Sequence, residues 1–455
     1  MIKDWAGIVS FEPGLQLSPS DQGTLRAALD SIKDGVHKGK RIRVPGGLHS
    51  CAKILVSDAI LDLRSLPKDP LQFSNDDKTV TVSANWTLHD FLEELGTKKN
   101  KSITATGGTD EQTLAGLLTT NTAPASSRFA IFETLEQVKY VTYDAGTGAA
   151  GDKVVSRGDP EFSSVVCSLG AIGIITQMQF SLIDQPFFET VQRIAPLDEV
   201  LGDLDETSRK FDFWRIDWLP KMDMGLLWTA TQVPGSPANE HGDYPPDVAV
   251  TALQFIFERL DDFTRGRSGP LLGLLEWFVY VVMAAIYPTT KVTGPLRNMI
   301  PVDRRAPFRV AMAEWCFHPD DLTRVRNECK AFFRRRGWPN LPIEIELTKT
   351  DDYHMSSWNW PELKGEGNKN YVVKFNFMYL TDVCKNQDEL DLISIHLLGL
   401  WEHLTQAGIQ FKAHWGKINF IDHDFVNTHY PGYGAFKTHT HDEFKNAYLD
   451  ERLPP

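Results

Sequence analysis

Four short segments hold residue types that could handle a phosphate-bearing ring and an oxidisable group. The first is Pro45-Gly46-Gly47-Leu48-His49-Ser50, where two glycines let backbone amides approach a diphosphate and a histidine is displayed at the end of the turn. Taken alone, a histidine after a glycine turn is more often a hydrogen-bonding surface or core residue. The second runs from Thr106-Gly107-Gly108-Thr109-Asp110 to Ala115-Gly116 and on through Thr119 to Thr122. Small residues interleaved with hydroxyls can line a flat ring and its phosphates with donors, and they equally suit a loop followed by a well-packed helix.

The third segment, Ser168-Leu169-Gly170-Ala171-Ile172-Gly173-Ile174-Ile175-Thr176, spaces two glycines for close approach and leads straight into an apolar strand. It is not GxGxxG, so a Rossmann dinucleotide site is not indicated. The fourth is His414-Trp415-Gly416-Lys417, which sets a cationic donor after a glycine and an aromatic. A lone lysine there is ordinarily a solvated charge.

The elements that must position these residues alternate helix-like and strand-like patterns over the first 185 residues, which predicts an α+β or α/β architecture. Leu25, Leu29 and Ile32 share one helical face, ending near Gly35, and Arg41 to Val44 reads as a strand that delivers the first turn. Thr79–Ser83 alternates as a strand. Thr87 with Asp90 opens a helix whose apolar face is Leu88, Phe91, Leu92 and Leu95, with its stop at Gly96. Val138 to Tyr143 is a strand before the turn at Asp144 to Gly148, and Val165 to Leu182 passes from helix to strand. The character changes near Gln185-Pro186, after which come most of the tryptophans and long strands such as Ala311 to Cys316. Gln232 to Pro246, rich in proline and glycine, reads as an exposed excursion.

Composition narrows the function. The chain has 455 residues, 47 Lys plus Arg against 60 Asp plus Glu, and a net charge of −13. It is ordinary for a folded, two- or three-domain soluble chain, and its negative balance argues against nucleic acid as a partner. Five widely spaced cysteines without a CxxC pair fit a reducing compartment and no zinc site. The opening Met1-Ile2-Lys3-Asp4-Trp5 lacks the pattern of a secretory signal, so a cytoplasmic location is expected. Leu271 to Tyr287 is almost unbroken apolar sequence. At about 17 residues, with Glu276 inside, it reads as a buried or interfacial helix rather than a span. It is the candidate contact for a membrane surface or a second copy.

The same segments, in order, resemble the aldonolactone oxidase group of the vanillyl-alcohol-oxidase-type flavoproteins. The resemblance is carried by Trp5-Ala6-Gly7, the turn ending at His49 and Ser50, Gly107 to Gly116, Ser168 to Thr176, Glu344 to Asp352, His414 to Lys417, and Tyr430-Pro431. It spans Trp5 to about Leu449. It implies an α+β fold: a two-lobed FAD-binding domain of the PCMH type from residues 1–185, a cap or substrate domain inserted over 186–410, and a return of 411–455 to the flavin part. It implies FAD joined covalently through His49. Gly46, Gly47, Leu48 and Ser50 would contact the diphosphate, with Leu48 standing where the group usually has glycine. Gly108, Thr109, Gly116, Thr119 and Thr122 would flank the flavin, as would His414, and Gly170, Gly173 and Ile175 would hold the adenosine side.

The resemblance also places a catalytic lysine at Lys417 and its acidic partner at Glu344. Oxidising a carbinol requires the hydroxyl proton to leave as hydride moves to flavin N5, and a cation beside the developing alkoxide lowers that barrier. Glu344 would hydrogen-bond substrate hydroxyls and orient Lys417. Three departures stand out against alditol oxidase: Glu346 replaces an arginine, Lys374 replaces a histidine, and Thr122-Ala123-Pro124 replaces Thr-His-Gly. Glu346 and Lys374 are expected to compensate one another. The implied function is FAD-dependent oxidation of a CH–OH group of a sugar lactone, alditol or related polar alcohol, with dioxygen reduced to hydrogen peroxide. Three alternatives stay open. One is a dehydrogenase of the same fold using a quinone or cytochrome. Another is an oxidase of a larger alcohol, accommodated by Tyr353, Trp358 and Trp360. The third is an inert, membrane-associated flavin-binding protein.

Overall fold

A computed structural model describes residues 1–235, 290–299, 309–339, 341–365, 369–382 and 384–454. The apolar run Leu271 to Tyr287 and most of the excursion at Gln232 to Pro246 lie outside these residues. The architecture is α+β, as expected. Three sheets dominate it.

The smallest is a three-stranded parallel sheet in the order Leu15–Leu17, Ala59–Leu61, Ile42–Arg43. The helix Gln22–Lys33 covers it. Asp21 starts that helix by a reciprocal capping box with Thr24, and Leu25, Leu29 and Ile32 are buried against Ile42, Ala59 and Leu61. Val141, Tyr143 and Ile174 of the next sheet join the same cluster, so the two layers share one apolar seam.

That next sheet is five-stranded and antiparallel: Ala150–Ser156, Leu135–Tyr143, Ile174–Ser181, Thr79–Ser83, Gln72–Phe73. The helix Leu88–Lys99 packs beside it and runs through Gly96 rather than stopping there; Asn100, in the left-handed region at φ 53°, closes it. Gly96 is small for a packing reason, because a Cβ would lie 2.5 Å from both Gln185 Oε1 and Arg297 Nη1. A local reading cannot tell a glycine that ends a helix from one that lets a neighbour approach.

The largest sheet is eight-stranded and antiparallel: Thr290–Pro295, Phe187–Pro196, Met224–Val233, Phe213–Leu219, Ile343–Lys349, Tyr371–Leu380, Val310–Phe317, Phe411–Ala413. Side chains alternate between its faces. Ile216, Trp218, Ile345, Phe375, Phe377 and Trp315 enter the core under the helices Leu322–Arg336 and Gln387–Gln406, where Trp401 meets Trp315 edge-on at 5.3 Å. The opposite face is charged. Its register sets Asp217, Glu344, Asn376 and Glu314 side by side on one rung, and Arg215, Glu346, Lys374 and Cys316 on the next. After Phe411–Ala413 the chain leaves this sheet and crosses at His414–Lys417 to the parallel-sheet lobe, where the Asn446 side chain donates to the carbonyls of Lys53, Ile54 and Val56.

Among the described residues no helix is long and apolar enough to cross a membrane. All five cysteines are free thiols.

Candidate functional site

The turn after Ile42–Arg43 projects from the end of the parallel sheet and is clamped on two sides. Trp5 donates its main-chain N–H to the Leu48 carbonyl at 2.9 Å, and Leu48 itself takes φ 61°, a conformation that favours glycine. Gly46 and Gly47 are small because the second segment lies on them. A Cβ would come within 2.6 Å of Thr113 Oγ1 at the first and 2.8 Å of the Glu111 carbonyl at the second. Thr113 also caps the helix Leu114–Thr120 by accepting from the Gly116 N–H. The fourth segment closes the other side: Cys51 N–H donates to the Gly416 carbonyl at 2.8 Å, and Gly416 faces Ser50. Three of the four segments singled out by sequence therefore meet.

His49 stands at their junction, 3.7 Å from the Glu111 carboxylate and with its ring 5.9 Å from Trp5. Burial, aided by the Lys417 ammonium, lowers its pKa to about 4, so at neutral pH it is an uncharged imidazole. His414 is buried and its Nδ1 accepts from the Gly416 N–H at 3.1 Å. Burial and the charges of Lys417 and Lys374 push it well below the usual histidine range.

The third segment meets them through Arg43. This buried guanidinium donates to the carbonyls of Ile54, Leu169, Gly170 and Phe444 at 2.6 to 3.2 Å, tying the first turn to the third segment and the tail. Gly170 faces Arg43, and Gly173 lies against the Val141 carbonyl, so both glycines are packed on protein. Ile175 borders a cavity of about 280 Å³ that also touches Gln22, Asn85, Lys139 and Gln177. Gln22 Oε1 and Asn85 Oδ1 are buried there without a hydrogen-bond partner. On the second and third segments, Thr109 Oγ1, Gln112 Oε1, Thr122 Oγ1 and Ser168 Oγ are buried and without a partner among the described residues too. Such groups are costly in a folded chain unless a ligand satisfies them. Gly108 looks into open space, and Thr119 spends its hydroxyl on the Gly116 carbonyl. This donor and acceptor set fits a nucleotide cofactor lying along the second segment.

Facing it is the charged side of the large sheet. Lys374 and Glu346 form an ion pair at 2.7 Å, and Lys374 also donates to the Ala123 carbonyl at 3.2 Å and lies over the Trp358 ring. Burial pulls the Lys374 pKa down, but the fields of Glu314, Glu346 and Glu344 override it and hold the ammonium above its ordinary range. Glu344 accepts from Asn376 Nδ2 at 2.9 Å and lies 3.5 Å from Arg215. Burial raises its pKa to about 7 against the opposing pull of Arg215. Lys417 Nζ lies 3.2 Å from Met312 Sδ, and the partners of Glu344 are Asn376 and Arg215 rather than Lys417. Trp358 and Trp360 are buried, donating to the Asn121 and Ser357 carbonyls, and Trp358 carries the Lys374 ammonium over its ring.

Sequence reasoning missed Arg43, Arg215, Glu314 and Asn376. Arg43 carried a signal, a cation set between Ile42 and Val44 in the strand that leads into the glycine turn. The other three lie on strands whose neighbours across the sheet are not written in the local sequence.

The profile of the family described as D-arabinono-1,4-lactone oxidase matches residues 178–443. Mouse (Mus musculus) L-gulonolactone oxidase is 22% identical over 359 residues, 78% of each chain. A long-chain alcohol oxidase from an uncultured marine euryarchaeote is 32% identical over 176 residues, 38% of this chain and 35% of that one. Among solved structures, a solvent-stable cholesterol oxidase superposes with a TM-score of 0.73 at 16% identity, covering 99% of this chain and 96% of that one.

Proposed function

The chain belongs to the D-arabinono-1,4-lactone oxidase family, and from that premise we propose that it is an FAD-dependent oxidoreductase acting on a CH–OH group of a sugar lactone, alditol or related polar alcohol. The observation that carries this reading is the convergence of the His49 turn with Thr113 and Gly416 beside the Lys417 charge, while Lys374 of the charged rungs reaches the Ala123 carbonyl next to the unpartnered Thr122 hydroxyl. Residues 1–185 with 411–455 form the flavin part in this reading, and 186–410 the cap; Phe411–Ala413 edges the cap's own sheet.

When bound, FAD supplies a two-electron acceptor for the alcohol's hydride. Gly46, Gly47, Leu48 and Ser50 would border its diphosphate, while Gly108, Thr109, Gly116, Thr119, Thr122 and His414 would border its ring. Gln22, Asn85 and Ile175 line the cavity suited to the adenosine end. His49, neutral and therefore nucleophilic, would be the attachment point for a covalent link. Lys417 places its ammonium beside the alcohol oxygen, where it stabilises the charge that grows as the hydroxyl proton leaves. Glu344, held by Asn376 and Arg215, accepts from substrate hydroxyls. Glu346 and Lys374 shape the pocket as a neutral pair where alditol oxidase has an arginine and a histidine. Dioxygen is the acceptor in this reading, giving hydrogen peroxide.

The test is direct. Purified holoprotein is mixed anaerobically with D-arabinono-1,4-lactone, L-gulonolactone and a series of alditols, following the flavin absorbance, and peroxide is then assayed in air. Bleaching by a lactone or alditol with stoichiometric peroxide is the expected result. Bleaching without peroxide transfers the chain to the quinone- or cytochrome-linked class. A colourless protein that binds no FAD defeats the proposal.

A further inference from the structure

The charged face of the large sheet carries two carboxylates that none of these roles uses, Asp217 and Glu314, and of the two Asp217 has a cation beside it, Arg215 at 3.5 Å. Glu314 lies on the strand Val310–Phe317, opposite Asn376 and so on the rung of Glu344 and Asp217. Only 9% of it is exposed. The other charges around it are matched. Glu346 pairs with Lys374 at 2.7 Å, and Arg215 lies 3.5 Å from both Asp217 and Glu344. Lys374 contacts Glu346 and the Ala123 carbonyl and feels Glu314 only through its field, and Glu314 forms no ion pair within 4.0 Å and no side-chain hydrogen bond with any described residue.

Its neighbours fix where it points. The Glu314 carbonyl accepts from the His414 N–H at 2.9 Å, and two residues earlier on the same face Met312 touches Lys417 Nζ. Glu314 therefore lies between Lys417 and the Glu346–Lys374 pair. A second group on its rung is also unsatisfied: Asn376 gives its Nδ2 to Glu344, while its Oδ1 is buried without a partner. A carboxylate without a hydrogen bond to the described residues, its oxygens open to accessible space, beside a buried amide oxygen without a partner forms an acceptor pair that donors from outside the fold can fill. Both groups are acceptors, so what they await is a pair of donors.

We propose that Glu314 is a substrate-contacting, specificity-determining residue. Its carboxylate accepts a hydrogen bond from a substrate hydroxyl other than the one oxidised beside Lys417, and Asn376 Oδ1 accepts from a neighbouring hydroxyl. Together they demand a polyhydroxylated substrate and disfavour a long-chain or ring alcohol with a single hydroxyl, which would leave both acceptors bare. The inference rests on the alcohol-oxidising reading of the site.

The test pairs deletion on the protein with deletion on the substrate. Glu314→Gln, near-isosteric and still an acceptor, and Glu314→Ala are compared with wild type on L-gulonolactone and on its mono-deoxy analogues, with binding also measured by calorimetry on the dithionite-reduced holoenzyme. In Glu314→Ala, KM and the reduced-enzyme Kd for L-gulonolactone rise more than tenfold while kcat changes less than threefold. Glu314→Gln falls between. With one deoxy analogue, the one lacking the gripped hydroxyl, wild type and Glu314→Ala bind alike. An equal penalty on every analogue, or no change in KM and Kd, overturns the inference while leaving the proposed function standing. Failure of the wild type to oxidise any lactone or polyol removes both.

Discussion

Glu346 and Lys374 face one another across adjacent antiparallel strands, their charges 2.7 Å apart and their side chains 10% and 2% exposed. A buried pair of this kind is expensive to halve and cheaper to replace whole, because removing one member leaves the other charged in an apolar setting. Glu346→Gln and Lys374→Met are each expected to destabilise the protein by about 3 kcal/mol. The double variant Glu346→Met, Lys374→Met is expected to cost much less than the sum. Urea unfolding of the three variants decides it; additive losses would mean the two residues are not energetically coupled.

Glu344 governs the pH dependence of turnover. With its pKa raised to about 7 by burial against Arg215, it accepts hydroxyl hydrogens fully only when ionised. The value of kcat/KM is expected to rise as pH increases through 7 and to level off above it. Glu344→Gln is expected to lose that step and about 10- to 100-fold of kcat/KM. A step that persists in the variant assigns it to another group.

His49 makes the covalent attachment testable without activity. Acid-precipitated wild-type protein is expected to retain yellow flavin in the pellet and His49→Ala to release it to the supernatant. Flavin that stays with the His49→Ala pellet places the linkage elsewhere.

Asp351 links stability to pH. Its carboxylate accepts from Asn121 Nδ2 and Ser356 Oγ, joining the helix Leu114–Thr120 to the segment before Trp358, and burial raises its pKa from 3.8 to about 6. The fold favours its neutral form. Its contribution is thus complete below about pH 4 and lost as pH rises through 6. Asp351→Asn is expected to match wild type near pH 4 and to exceed it by about 2 kcal/mol at pH 7.5. Melting temperatures across that range report the difference, and parallel pH curves for the two proteins would contradict it.

The pattern of residues along the chain was enough for a mixed helix-and-sheet fold and for the glycine turn that displays His49, and the family resemblance singled out Glu344 and Glu346. It was also enough to expect Glu346 and Lys374 to compensate one another, because each departs from the related pattern with opposite charge. Local sequence did not reveal that Gly96 lies inside a helix, since the reason is the approach of Arg297 from far along the chain. Nor did it reveal Arg43 gathering four carbonyls from three distant segments. Arg215, Glu314 and Asn376 became part of the site only when strands from residues 213–219, 310–317, 343–349 and 371–380 settled into register. Period-two alternation fixes which face a side chain takes and is written in each strand. Which charge stands beside which is decided by pairing between strands remote in sequence, and that pairing exists only in the folded sheet.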